Sequence, residues 1–224
     1  MMSGKAPTVI AIDGPAGSGK STVARAVAAA VGLPPLETGA MYRALTWAVL
    51  ADGCDPADAE AVTAVARRIH LEVGDRVLVD GKDVTDEIRT AEVTGAVSAV
   101  SAVPAARTVM VACQRGWIEA HGGGVLEGRD IGTVVAPDAV LKVFLVASEE
   151  ERARRRLAQD RPGTSQTLSE TQAAIRRRDA LDSGRAMSPL VAAPDAVVLD
   201  TTGRSVDDIV AEIVDRYGAA LARR

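Results

Sequence analysis

Aromatic side chains are almost missing: two tryptophans, two tyrosines and one phenylalanine make up 2% of 224 residues. A module that grips single-stranded RNA stacks bases on aromatic rings, and this chain has too few rings for such a platform. Its core must be built from Val, Leu, Ile and Ala, and a 47% apolar share is ordinary for a globular chain. Cysteine is scarce as well. Cys54 and Cys113 fit no metal or redox spacing, which predicts small buried hydrophobes in a reducing compartment. No apolar run approaches the length of a bilayer span. Met1-Met2-Ser3-Gly4-Lys5 lacks the apolar stretch of a secretory signal. A cytoplasmic chain without a membrane partner is expected. The net charge of −4 is too small for a general nucleic-acid binder. The length predicts one domain with insertions, 1–224, rather than two full domains.

What is present is concentrated near the start. Val9 to Asp13 is a short apolar run, and it leads into Gly14-Pro15-Ala16-Gly17-Ser18-Gly19-Lys20-Ser21-Thr22. This is G-x-x-x-x-G-K-[ST] with a strand before it and an alanine-rich amphipathic stretch after it. Glycines let backbone N–H groups wrap an anion with no Cβ in the way. A helix beginning near Lys20 points its positive end at the same place. Lys20 supplies a cation for outer phosphates, and Ser21 a hydroxyl for Mg²⁺, an ion that keeps most of its waters. The bland alternative is a glycine-rich turn that binds nothing; motif and context together argue against it. Asp13 reads as a residue that shapes the loop rather than as a metal ligand.

Further along, Gly32 ends the first helix, and Thr38 is expected to cap a helix through Met41, Leu45 and Val49. Asp55-Pro56 is expected to open the next helix, to about Arg68. The period then changes. Leu71 and Val73, then Val77 and Val79, alternate with polar residues, and Asp80-Gly81 is a hairpin signal. Two helical stretches follow, about 90–101 and 104–121. Val125-Leu126-Glu127 is a short strand with the loop Gly128 to Gly132 after it. Val140 to Val146 is a buried strand. Ser148 with Glu151, and Thr167 with Glu170, form capping boxes for two further helices. Ala196 to Asp200 is the last strand, and Val206, Ile209, Val210, Ile213 and Val214 give the last helix an apolar face. His70 and His121 have no obvious partner and read as structural. Strands alternating with helices predict an α/β fold, a doubly wound parallel sheet of five strands with a small antiparallel β insert. Ligands in such sheets bind at the carboxyl ends of strands. The phosphate loop, the segment after Leu36 and the loop after Glu127 are therefore expected at one crevice.

Between Glu151 and Arg185 stand nine arginines against five acids, with no lysine, in a chain that is acidic overall. Arginine suits forked binding of phosphate. Two capped helices flank Asp160-Arg161-Pro162-Gly163-Thr164, so a short helical lid at about 155–168 is expected, closing over a triphosphate. Taken singly, Arg152 and Arg176 read as solvated helix-face charges.

These residues resemble nucleoside monophosphate kinases, and specifically the bacterial cytidylate kinases, over most of the chain. Ile12-Asp13-Gly14-Pro15 opens the phosphate loop as in that family. Glu37-Thr38-Gly39-Ala40-Met41-Tyr42-Arg43, Ile88-Arg89-Thr90, Glu127 through Val135, Pro137-Asp138-Ala139 and Arg178 through Arg185 look like further family blocks. The resemblance implies a single P-loop kinase domain with an acceptor-binding insertion at about 68–107. It implies ATP and Mg²⁺ at 14–22, with CMP or dCMP as acceptor. Tyr42, Arg43 and Arg129 would hold the acceptor phosphate, and Ser98, Arg107 and Asp130 would read the base. Arg178 and Asp182 would lie by the sugar, near Thr38, with Arg185 facing the phosphates. Lys20, Arg129, Arg178 and Arg185 would carry catalysis. Thr38 stands where many members have serine, and Glu127 where others have aspartate. Leu181 and Ser183 fall where some have further arginines, which bears on lid charge. A monomer suits a hinge-closing kinase of this kind.

Cytosine chemistry agrees with that assignment. A carboxylate such as Asp130 can accept from the N4 amine, and an arginine such as Arg107 can donate to N3 or O2. Uracil would set a carbonyl lone pair against Asp130, and a polar site penalises the analogue that leaves it unpaired. Asp130 could equally be a cap or an ion-pair partner of Arg129. Tyr42 could be a buried aromatic, and Arg43, Ser98 and Arg107 surface groups of helices. The acceptor is already an anion, so alignment and charge neutralisation would suffice for catalysis. A GTPase-like switch fits poorly. Asp200-Thr201-Thr202-Gly203 follows a strand, yet only twenty-one residues come after it, and no Asn-Lys-x-Asp motif exists.

Overall fold

A computed structural model describes residues 7–159 and 167–223. The loop expected at 160–164, with Arg161, lies outside them. The chain divides into two compact units, one made of Met1–Pro35 and His121–Arg224, the other of Leu36–Ala120. The second unit takes in the stretch 68–107 and extends beyond it on both sides.

The first unit contains β1 (Thr8–Asp13), α1 (Lys20–Val31), β6 (Gly123–Gly128), β7 (Leu141–Val146), α6 (Glu149–Gln159), α7 (Leu168–Ser183), β8 (Val197–Asp200) and α8 (Val206–Leu221). With β2 (Pro35–Glu37), which crosses the division, the strands form a five-stranded sheet in the order β2-β6-β1-β7-β8. The pairs β1–β6, β1–β7 and β7–β8 are all parallel. Ile10, Ile12, Val125, Val143, Leu145 and Leu199 of the sheet are buried with Val23 and Val27 of α1 and Ile209 and Ile213 of α8. Strands covered on both faces read as continuous apolar runs, as these do. On α8 the apolar face is narrower than its sequence pattern suggests: Ile209 and Ile213 are buried, while Val206 is exposed.

Register places the loops. Ile12 lies opposite Glu127, and Asp13 opposite Gly128. The carboxyl ends of β1 and β6 therefore release their loops side by side. The loop after β6 is more ordered than expected, because Ile131–Val135 winds into one turn of π-helix.

The second unit begins with α2 (Thr38–Ala51), α3 (Ala59–Arg68) and a three-stranded antiparallel sheet of β3 (Leu71–Val73), β4 (Val77–Val79) and β5 (Lys82–Asp83). Asp80 and Gly81 both have positive φ, 50° and 79°, as a tight two-residue hairpin requires. A 3-10 turn at Glu87–Arg89 leads to α4 (Ala91–Ala102) and α5 (Pro104–His121).

Three local expectations are corrected. Thr38 is the first helical residue of α2, and Glu37 takes the cap position. Asp55-Pro56 makes a turn, with the Asp58 N–H donating to the Asp55 carbonyl, and Asp58 is the cap of α3. Cysteine is less hidden than expected: Cys54 is half-buried and Cys113, on α5, is exposed. No single helix among the described residues is long and apolar enough to cross a membrane.

Candidate active site

The phosphate loop is shaped by backbone. Gly14 has φ 151°, and a Cβ there would stand 2.2 Å from the Leu145 carbonyl oxygen. Gly19 has φ 90° and precedes the first residue of α1. Only glycine adopts both conformations without strain. The helix therefore starts where its unpaired N–H groups and dipole face the loop.

Lys20 is buried, and its ammonium donates to the Pro15 carbonyl at 2.7 Å. Burial, with Arg129 and then Arg178 as like charges, pulls its pKa from 10.5 down to about 7, against the opposing pull of Glu127 and Asp13. Lys20, Arg129 and Arg178 thus share one region of the first unit with Glu127 and Asp13. Ser21 Oγ donates to Glu127 Oε1 at 3.2 Å, and Glu127 is buried. A hydroxyl and a carboxylate so close are hard oxygen donors of the kind Mg²⁺ takes alongside water and phosphate. The sequence marked Ser21 only; Glu127 was a motif position without a role.

Asp13 carries the link between loops. Its two oxygens accept the Ile131 N–H at 2.9 Å and the Gly132 N–H at 2.8 Å. Burial raises its pKa from 3.8 to about 6, outweighing those two hydrogen bonds, with Asp130 adding to the rise and Lys20 opposing it. Arg129 and Asp130 sit immediately before this anchor. Asp130 is buried, and its carbonyl accepts the Val134 N–H at 2.8 Å. Arg129 Nε donates to Asp182 Oδ2 at 2.9 Å, and Arg185 Nη2 donates to Asp182 Oδ1 at 2.5 Å. Asp182, expected by the sugar, holds two arginines at once.

The arginine-rich stretch separates into different uses. Arg154 pairs with Glu150, and Arg176 with Glu149, all exposed. Arg176 is the solvated charge expected of it. Arg152 is not: its side chain is 8% exposed, and it bonds to Asp179 and to the Ala16 carbonyl. Arg155 bonds to Thr201 and, at 3.4 Å, to the Ser18 carbonyl. Thr201 Oγ1 also donates to the Ser18 carbonyl at 3.2 Å. In this structure Arg152 and Arg155 therefore meet the phosphate loop at its carbonyl oxygens.

The second unit gathers its own set. Arg107, readable as a surface charge, is buried; its Nη1 donates to the Ser101 carbonyl at 3.1 Å, and its guanidinium lies 4.9 Å from the centre of the Tyr42 ring. That is cation–π distance. Tyr42 is itself buried. Arg43 Nη1 donates to the Ile88 carbonyl at 3.2 Å and to Thr94 Oγ1 at 2.9 Å. Thr38 is buried and Ser98 half-buried, and the Ser98 carbonyl accepts the Ser101 hydroxyl.

Comparison with known proteins shows the family. The cytidylate kinase family model matches residues 10–219. A cytidylate kinase of Mycobacterium leprae (strain Br4923) is 51% identical over 209 residues, covering 92% of this chain and 94% of its own. One from Limosilactobacillus reuteri (strain DSM 20016) is 51% identical over 211 residues, covering 91% and 92%. Among solved structures, an uncharacterized protein from Eubacterium ventriosum ATCC 27560 shares the fold alone, with a TM-score of 0.55 at 11% identity over 95% of this chain and 99% of its own. With the family model spanning both units and two relatives matching at about half identity, this chain belongs to the cytidylate kinase family.

Proposed function

We propose that the protein transfers the γ-phosphoryl group of ATP to the phosphate of CMP or dCMP, giving the diphosphate and ADP. The observation that carries the donor half is the loop's geometry: Gly14 and Gly19 at positive φ lead into α1, and the buried Lys20 ammonium turns back onto the Pro15 carbonyl. Burial first, then Arg129 and Arg178, hold the pKa of that ammonium down, and a polyanion beside it would favour the charged form. Residues 14–22 would hold the triphosphate. Mg²⁺ would be held by Ser21, with Glu127 beside it, and would supply charge neutralisation on the outer phosphates. Within the first unit, Arg129, Arg178 and Arg185 offset charge on the transferred group, with Asp182 fixing the first and last of these. Asp130 accepts from the cytosine amine. Within the second unit, Tyr42 and Arg43 serve the acceptor phosphate, Thr38 lies toward the sugar, and Ser98 and Arg107 read the base. Because the acceptor is an anion, no strong general base is required; the protein aligns, excludes water and neutralises charge. We infer a monomeric, cytoplasmic enzyme acting on small nucleotides rather than on nucleic acid.

The test is ADP release measured in parallel with CMP, dCMP, UMP and AMP. Turnover with the cytidine nucleotides at least tenfold above UMP and AMP is expected. Equal use of UMP would overturn the base-reading role of Asp130.

A further inference from the structure

The residue that holds the phosphate loop from behind comes from neither the motif nor the acceptor set. Asp179 Oδ1 on α7 accepts the Ala16 N–H at 3.0 Å. Arg152 Nη1 on α6 donates to the Ala16 carbonyl at 3.1 Å. The two side chains are also paired with each other. Both peptide planes that flank Ala16 are thereby pinned, which fixes φ and ψ of that residue. The next residue, Gly17, has φ 76°, and a Cβ on it would stand 2.7 Å from the backbone oxygen of Arg152. The loop thus rests directly on the α6 backbone while side chains from two helices grip one of its residues.

We propose that Arg152 and Asp179 are a positioning pair that sets the conformation of the phosphate loop, so that donor affinity depends on two residues that do not touch the donor. The physical reason is preorganisation. A loop of positive-φ glycines has many backbone states, and a ligand that must select one of them binds more weakly by the fraction in which it is populated. Pinning Ala16 removes most of that freedom beforehand. The Ala16 N–H, given to Asp179, is then a structural contact rather than part of the phosphate cradle. Neither partner serves alone. Without Asp179 the Arg152 guanidinium is left buried beside a single carbonyl, and without Arg152 the carboxylate loses its counter-charge.

This inference rests on the reading of residues 14–22 as the ATP site, so the experiment has one arm that needs no nucleotide. In the full chain, Asp179→Asn, Arg152→Met, the double variant and the conservative Arg152→Lys are compared with wild type. Without nucleotide, amide hydrogen exchange over residues 14–21 should quicken at least fivefold in Asp179→Asn and Arg152→Met, with folding checked by thermal melting. With nucleotide, dissociation constants for ATP should rise about tenfold in each single variant, while those for CMP change less than twofold. The double variant should be little worse than either single, since both remove one contact network. Arg152→Lys should recover part of the affinity. Unchanged exchange in the loop, equal weakening for ATP and CMP, or fully additive losses would each overturn the proposal. Should a variant fail to fold, Arg152→Lys alone decides by the same two readouts. If wild type binds no ATP, the donor reading fails, and the exchange arm still decides whether the pair sets the loop.

Discussion

In the first unit, Lys20, Arg129 and Arg178 share a region dense in ionisable groups, where Asp13, Glu127 and Asp182 balance them. In the second unit, Arg107 lies over the Tyr42 ring and bonds to a carbonyl, and Arg43 is held by a carbonyl and a hydroxyl. Around these residues the first unit sets its cations against other charges, while Arg107 and Arg43 meet dipoles and an aromatic face; elsewhere the second unit also pairs Arg68 with Asp52, Arg76 with Asp83 and Arg89 with Glu37. In the proposed reading, the difference between Lys20 and Arg107 matches what each would meet. A triphosphate with its metal brings several charges, and a network of ions can adjust to them. A neutral base offers Arg107 only donors and acceptors, and rigid, oriented dipoles suit that readout, whereas Arg43 would meet the acceptor phosphate.

The comparison can be broken most directly at Lys20. Lys20→Ala should lower kcat by roughly a thousandfold with the circular dichroism spectrum unchanged, about 4 kcal/mol at the transition state. Near-normal turnover would remove the charge network from the chemistry. Asp13 gives the next effect, in stability. Its folded pKa is raised, so the folded state takes up a proton as pH falls from about 6 to 3.8 and gains about 3 kcal/mol from this group over that window. Above pH 6 that gain is gone. Asp13→Asn lacks it, so urea unfolding at pH 7 and pH 4 should show wild type improving relative to the variant by about that amount at the lower pH. A pH-independent difference would mean the carboxylate ionises normally in its buried setting.

The second unit answers to a smaller lever. Arg107→Met should raise KM for CMP by roughly ten- to hundredfold while ATP affinity holds, as loss of a charged hydrogen bond to a base predicts. Equal effects on both nucleotides would make Arg107 a strut for Tyr42 instead. At the bottom of the scale, Arg154→Ala removes an exposed pair with Glu150 and should shift stability by less than about 0.5 kcal/mol. A larger loss would erase the distinction between the arginines that grip the loop and those that face water.

How much the sequence disclosed follows from the same contrast. The phosphate loop was legible because its function lies in backbone geometry, and backbone geometry restricts residue type: glycines at positive φ, a lysine and a serine at fixed offsets. The hairpin at Asp80-Gly81 was legible for that reason too. The roles of Tyr42, Arg43 and Arg107 could be named only through family resemblance, since no spacing rule separates a buried arginine from a solvated one. Arg152 shows the limit most clearly. It sits two positions from Arg154 in an Arg-rich helix, and helical geometry turns one toward the loop and the other outward. Glu127 and Asp13 acquired partners only once the strand register had placed them.

Cys113 stands exposed on the long helix α5, and partial burial holds its thiol pKa above the ordinary value. Alkylation at neutral pH will therefore be slow, and mildly alkaline buffer will speed it. With Cys54 replaced by serine, a maleimide dye at this point becomes a single optical reporter on the unit that carries Tyr42 and Arg107. Labelled at that exposed residue, the second unit can be followed by fluorescence on its own during a nucleotide titration.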